Sequence, residues 1–102
     1  MKYDIIWSSK ALRDLDEIYN YYVEKSKYVA VTIYNGILDE VSLLNRHPFI
    51  AAAEQTLVNC TKLYRSLVVS KGRYKVVYSV EKGCIYIARI WSCRRDPKTF
   101  ES

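Results

Sequence analysis

The sequence predicts one α+β domain, residues 1–102, in which a helical hairpin packs on one face of an antiparallel sheet in the order β-α-α-β-β-β. Two observations carry this prediction. Residues 10–44 contain two stretches with apolar side chains at helical spacing, and residues 63–91 contain three runs of β-branched and aromatic residues. Since each helix has one apolar stripe, both are expected to bury it against the same sheet.

The first half of the chain contains a short strand and two helices. KYDIIW at 2–7 is rich in β-formers and ends at Ser8 and Ser9, one of which is expected to cap the first helix. EKSK at 24–27 interrupts the helical pattern, and a second period runs to Asn45. The apolar positions are Leu12, Leu15, Ile18, Tyr19 and Tyr22 in the first helix and Ala30, Ile33, Ile37, Val41 and Leu44 in the second.

The second half contains a loop followed by a three-stranded meander. Residues 48–61 have no sustained period and are expected to be mostly loop. EKG at 81–83 is expected to form a three-residue hairpin loop. In the last strand Ile85 and Ile87 alternate, but the next isoleucine is Ile90, three residues further on. This break in alternation predicts a β-bulge that changes the direction of the Arg89 side chain. The predicted strands are Leu63–Val69, Tyr74–Val80 and Cys84–Trp91.

Composition narrows the class of protein. Three cysteines without metal-ligand spacing and a single histidine predict reduced thiols, and we expect no metal and no cofactor. A secretory signal needs a basic start followed by a long apolar run, and the amino-terminal segment MKYDIIWSSKALRD breaks off into charge after two isoleucines. No segment approaches the ~18 apolar residues of a membrane helix. The expectation is a soluble, cytoplasmic protein with no membrane partner.

Basic residues are concentrated in the second half. Residues 1–60 hold six Lys and Arg against eight Asp and Glu, whereas residues 61–102 hold ten against three. A local basic surface favours a nucleic acid or an acidic protein as partner, although a solvated lysine face would give the same count. The residues that form this surface at the last two strands and the tail are Arg73, Lys75, Arg89, Arg94 and Arg95.

Tyrosine is the other unusual feature, with ten residues in the chain. Tyr22 and Tyr34 fall on the helices, where an apolar ring with a polar tip suits a partly covered surface. The same pattern is typical of the edge of a core. We expect these two tyrosines, together with Arg73 and Arg89, to contact a partner segment that folds on binding, through apolar contact and charge pairing.

Four short segments carry a family resemblance that covers nearly the whole chain. The predicted element order, with YR at 64–65, GRYKVVYSV at 72–80, IYIARI at 85–90 and RRDP at 94–97, resembles the RelE/ParE superfamily of type II toxins. The resemblance implies a small bacterial toxin that inhibits growth until a cognate antitoxin neutralises it. A non-toxic protein-interaction module is the alternative outside this class.

RelE-like members of the superfamily enter the ribosome and cut messenger RNA. Such cleavage needs a group that accepts the proton of the 2′-oxygen, cations for the phosphate and an acid for the leaving oxygen. The resemblance places Arg65, Lys75 and either Arg94 or Arg95 in this set, and Glu54 could serve as the base if its loop folds over the sheet. An exposed loop glutamate is the plainer interpretation.

Two groups of the RelE-like set are missing. The second lysine of the RelE-type second strand falls at Leu67, and the tail tyrosine is approximated only by Phe100. YKVVYSV, IYIARIW and the following RRDP are similar to the ParE branch instead, which implies action on DNA gyrase without nuclease chemistry. Gyrase is therefore the favoured target, with the ribosome and messenger RNA as the alternative. Whether the protein is an enzyme depends on that choice.

Overall fold

The computed structural model describes residues 2–57 and 62–93. Its helices and strands follow the expected order and confirm the α+β class. The elements are β1 (Asp4–Trp7), α1 (Ser9–Val23), α2 (Lys27–Ser42), β2 (Arg65–Val69), β3 (Tyr74–Glu81) and β4 (Cys84–Ser92), with short 3₁₀ turns at Leu43–Asn45, Gln55–Leu57 and Ser70–Gly72.

Four strands form one sheet in the order β1-β4-β3-β2. The pairs β2–β3 and β3–β4 are antiparallel, as expected of a meander. β1 runs parallel to β4, with Ile5 opposite Ile85, so the sheet is mixed rather than wholly antiparallel. No hairpin turn joins β1 to β4, and both helices and two strands lie between them in sequence. Turn geometry therefore does not fix their relative direction.

Both helices pack on the same face of the sheet, as the sequence predicts. Side chains from α1 and α2 form one cluster with alternate residues of β2, β3 and β4. Alternation is expected because successive strand residues point to opposite faces. The fully buried members of this cluster are Ala11, Leu15, Ile37, Val41, Leu44, Val69, Val76, Tyr78, Ile85 and Ile87.

The β3–β4 connection is tighter than the expected three-residue loop. β3 extends through Glu81, leaving Lys82 and Gly83 as the loop. Both have positive φ, 47° and 79°, which is the requirement of a two-residue type I′ turn. The predicted bulge in β4 is confirmed, because the partner of Val77 is Arg89 and the partner of Tyr78 is Ile87, which leaves Ala88 as the extra residue.

Segment 48–57 lies along the outer edge of β2. The backbone N–H of Glu54 donates to the carbonyl of Tyr64 at 2.8 Å, and the N–H of Ser66 donates to Ala52 at 3.1 Å. Ala53 and Arg65 form an antiparallel bridge. The expected loop thus contains an isolated β-bridge whose hydrogen bonds satisfy backbone groups at the start of an edge strand.

The amino-terminal end of α1 contacts the part of β4 that β1 leaves unpaired. β1 pairs with β4 only as far as Ile87. Beyond that point the hydroxyl of Ser8 donates to the carbonyl of Ala88 at 2.9 Å and accepts from the N–H of Ala11 at 3.0 Å. Of the two serines predicted as possible caps, Ser8 is the cap of α1, and it also links that helix to the bulge.

Candidate functional site

Lys75 and Glu54 form an ion pair on the face of the sheet opposite the helices. Lys75 Nζ lies 2.8 Å from Glu54 Oε1 and 5.1 Å from the centroid of the Trp91 ring. The other carboxylate oxygen of Glu54 accepts from the backbone N–H of Thr56 at 3.0 Å and from its hydroxyl at 2.6 Å. The site therefore joins β3 and β4 to segment 48–57.

Glu54 is buried, with 4% of its surface exposed. The expectation of an exposed loop glutamate is wrong, because segment 48–57 does fold over the sheet. Burial raises the pKa of Glu54, but hydrogen bonds from Lys75, Thr56 and Ser66 outweigh it and lower the pKa to about 2. A carboxylate with so low a pKa is a weak proton acceptor at neutral pH, so its position over the sheet does not make it an effective general base.

Arg65 lies on the opposite face from Lys75. The register pairs Arg65 with Tyr78, whose ring is in the core, and pairs Lys75 with Val68. Since paired residues share a face and neighbours alternate, the two cations point away from each other. The guanidinium of Arg65 donates to the carbonyl of Ala51 at 2.7 Å. Arg65 thus holds segment 48–57 on the helix side, while Lys75 holds it on the other side.

Arg89 is paired with Asp14 of α1. Its Nε and Nη2 atoms donate to the two carboxylate oxygens at 2.7 and 3.1 Å. The backbone N–H of Ile90 donates to the same carboxylate at 2.9 Å. Hydrogen bonding to Asp14 raises the pKa of Arg89, although burial opposes it. The expected partner-binding role of Arg89 would therefore have to use a cation that already has a counter-ion.

The tyrosines assigned to partner contact are half-buried at the edge of the core. Tyr34 packs edge-on against Tyr19, with ring centroids 5.8 Å apart. Tyr22 hydrogen-bonds to Tyr74, whose pKa is raised by burial and by that bond. Tyr28 was not singled out by the sequence, yet it is the most exposed large hydrophobic side chain in the described residues, at 80%. The sequence does indicate this exposure, because Tyr28 lies outside the apolar stripe of α2.

Arg73 is the last residue of the β2–β3 connection and is exposed. Its guanidinium approaches the carbonyl of Ser70 at 3.4 Å. The connection is unusual because Ser70, Lys71 and Gly72 all have positive φ. The N–H of Ser70 donates to the carboxylate of Glu40 at 2.8 Å, which fixes the turn to α2. Arg73 is therefore a cation held at the surface by a well-anchored turn.

Arg94 and Arg95, together with Phe100, lie outside the described residues. Within residues 2–57 and 62–93, no group of three or more His, Cys, Asp or Glu side chains is placed to hold a metal ion. No helix in the described part of the chain is long and apolar enough to cross a membrane.

Two contacts of the Lys75 site were not predicted from the sequence. Thr56 supplies two donors to Glu54, and Trp91 lies beside the Lys75 ammonium. Thr56 falls in a segment without periodicity, so no pattern marks it. Trp91 could have been placed from the register alone, since Lys75 pairs directly with it across β3 and β4.

Comparison with known proteins agrees with this architecture. A solved structure described as "Chromosomal ParDE TA system from P. aeruginosa" is similar in fold, with a TM-score of 0.74 and 24% sequence identity over 89% of this chain and 96% of that chain. A search of curated proteins gave no match. Residues 5–97 match the family described as ParE toxin of type II toxin-antitoxin system, parDE. The chain therefore belongs to the ParE toxin family, and it is the toxin component of a type II toxin-antitoxin system with a cognate antitoxin as partner.

Proposed function

We propose that this toxin arrests growth by acting on DNA gyrase and that it does not cleave messenger RNA. The observation that carries the proposal is the divergence of Arg65 and Lys75, which lie on opposite faces of the sheet. Stabilising a pentacoordinate phosphate requires cations that converge on one point. Each of these two cations is instead engaged with segment 48–57.

Two other positions of a nuclease set, both within the described residues, support the same proposal. Leu67, at the position of the second RelE-type lysine, packs against the core. Glu54 carries a pKa of about 2 and is bound by Lys75, so it is poorly matched to proton abstraction at neutral pH. Gyrase is the target that the ParE resemblance implies, and it requires no catalytic acid or base from the toxin.

The test measures both candidate activities with one purified preparation. We expect the toxin to inhibit gyrase supercoiling of relaxed plasmid while leaving messenger RNA intact in an in-vitro translation reaction. The toxin saturated with its cognate antitoxin is the matched control and should be inactive in the gyrase assay. Cleaved messenger RNA with undisturbed supercoiling would instead support the RelE-like alternative.

The antitoxin is expected to bind across the tyrosine-bearing helices and the sheet edge, with contacts from Tyr22 or Tyr34 and from Arg73 or Arg89. Arg73 supports this best, because it is exposed and held by an anchored turn. Tyr22 and Tyr34 are only partly exposed. Arg89 is paired with Asp14, so an acidic antitoxin group would have to share that guanidinium.

Arg73→Ala is the cleanest test of this surface, since it removes a cation without disturbing the core. We expect antitoxin affinity to fall about tenfold in calorimetric titration, which corresponds to about 1.4 kcal/mol. Lys2→Ala removes an exposed cation elsewhere and should leave the affinity unchanged. Unchanged affinity after replacement of Tyr22, Tyr34, Arg73 and Arg89 together would place the antitoxin on another surface.

A further inference from the structure

The carboxylate of Glu54 is surrounded by donors from three elements. They are Lys75 Nζ on β3, the backbone N–H and hydroxyl of Thr56 in the 3₁₀ turn, and the side chain of Ser66 on β2. One ammonium and several neutral donors around two oxygens form the arrangement that binds a carboxylate or a phosphate from outside a protein. Here the chain supplies the anion itself.

The surroundings of this cluster suit a nucleic acid strand. Lys75 lies over the ring of Trp91, and single-stranded nucleic acids bind where cations meet aromatic rings. The side chain of Lys75 keeps 25% of its surface exposed, so it is in partial contact with solvent. Basic residues also outnumber acidic ones in this half of the chain. Without Glu54 the face would present an unneutralised cation beside an indole.

We propose that Lys75, Thr56 and Ser66 form an anion site whose permanent occupant is Glu54, and that this occupant keeps the phosphodiester backbone of single-stranded RNA off the outer face of the sheet. An entering phosphate would meet a like charge at Glu54. Displacing Glu54 would leave its carboxylate buried without its donors, which is costly. This inference rests on the proposed function, because the RelE-like alternative would bring messenger RNA to Lys75. Gyrase inhibition is measured in a separate assay, so failure of the RNA-binding test leaves the gyrase proposal standing.

The test compares Glu54→Gln with the wild-type protein by fluorescence anisotropy of a short labelled single-stranded RNA. Glu54→Gln should bind about fivefold more tightly. The slope of log affinity against log salt should steepen by ~0.7, the value for one additional phosphate contact on a single strand. Glu81→Gln is the matched control, because it removes the same charge and releases Lys62 from an exposed ion pair. An equal gain in both variants would show a net-charge effect and overturn the proposal.

A second variant decides the question even if Glu54→Gln alone folds poorly. Glu54→Gln combined with Lys75→Gln restores the net charge and leaves no unpaired buried ion. If Glu54 neutralises Lys75 towards RNA, this double variant should bind RNA as the wild type does. Weaker binding by the double variant would mean that RNA already reaches Lys75 in the wild type, and the proposal would be wrong.

Discussion

Asp14 on α1 and Arg89 on β4 meet across 75 residues of sequence, and the same carboxylate accepts the backbone N–H of Ile90. The Asp14 carboxylate thus accepts a backbone hydrogen bond next to the bulge and also neutralises the half-buried guanidinium of Arg89. The pair also gives the bulge a structural role. Because Ala88 is an extra residue in β4, the counter-ion of the Arg89 side chain comes from α1 and not from a neighbouring strand.

Asp14→Asn should destabilise the fold by about 2 kcal/mol, because charged hydrogen bonds to Arg89 and Ile90 are replaced by weaker ones. Asp16→Asn is the matched control, since Asp16 is exposed on the same helix and its loss should stay within ~0.5 kcal/mol. Urea unfolding followed by circular dichroism measures both. Equal stability of the two variants would show that the Asp14 contacts contribute nothing measurable.

Glu54 should make stability fall in acid. Its pKa is lowered from 4.5 in the unfolded chain to about 2 in the folded protein, so its contribution is fully present above pH 4.5 and is lost as the pH falls towards 2. The contribution is of the order of 3 kcal/mol. Free energies of unfolding measured between these limits should therefore decline more steeply for the wild type than for Glu54→Gln. Parallel curves would contradict the lowered pKa.

Tyr78→Phe should loosen segment 48–57. The buried hydroxyl donates to the carbonyl of Pro48 at 2.9 Å, and its loss leaves that carbonyl without this donor at a cost of about 1 to 2 kcal/mol. Amide hydrogen exchange at Glu54, whose N–H bonds to Tyr64, should become faster. Tyr28→Phe, at an exposed position, should change neither quantity. Unaltered exchange in Tyr78→Phe would mean that the segment is held without this bond.

Arg94→Ala combined with Arg95→Ala should abolish growth arrest while changing stability by no more than ~0.5 kcal/mol. Both guanidinium groups are expected to engage acidic or phosphate groups of the target. Lys2→Ala with Arg46→Ala removes the same charge from two exposed positions and should remain toxic. Expression level and thermal melting are measured with growth. Continued arrest by the Arg94 and Arg95 variant would show that the two residues are not needed.

Local patterns in the sequence predict most of the fold. Helical spacing, the cap at Ser8 and the slipped apolar phase that marks the bulge at Ala88 all depend on neighbouring residues, and each is found in the structure. The direction of β1 and the path of segment 48–57 depend on contacts between distant residues. Neither produces a periodic pattern of apolar residues in the sequence, so the mixed sheet and the burial of Glu54 were not predicted.

The divergence of Arg65 and Lys75 could have been found without the structure. Arg65 is two residues from apolar Leu67 in the same strand, so the two side chains lie on the same face. Lys75 lies between apolar Tyr74 and Val76, so its side chain lies on the face opposite to theirs. Simple alternation therefore assigns Arg65 to the core side and Lys75 to the outer side. A match to the RelE-like set by sequence position takes account of residue type but not of the face of the sheet on which each side chain lies. It therefore does not reveal this difference.

The pairing of β1 with β4 has a consequence for the newly made chain. In the described sheet β4 is the only neighbour of β1, and the Asp14–Arg89 pair spans 75 residues. Contacts this distant in sequence form late, because the intervening chain must first be synthesised and ordered. During translation, β1 and the sheet-facing side of α1 therefore lack their β4 contacts until residues 84–92 have been synthesised. The described sheet is completed only when β4 has left the ribosome.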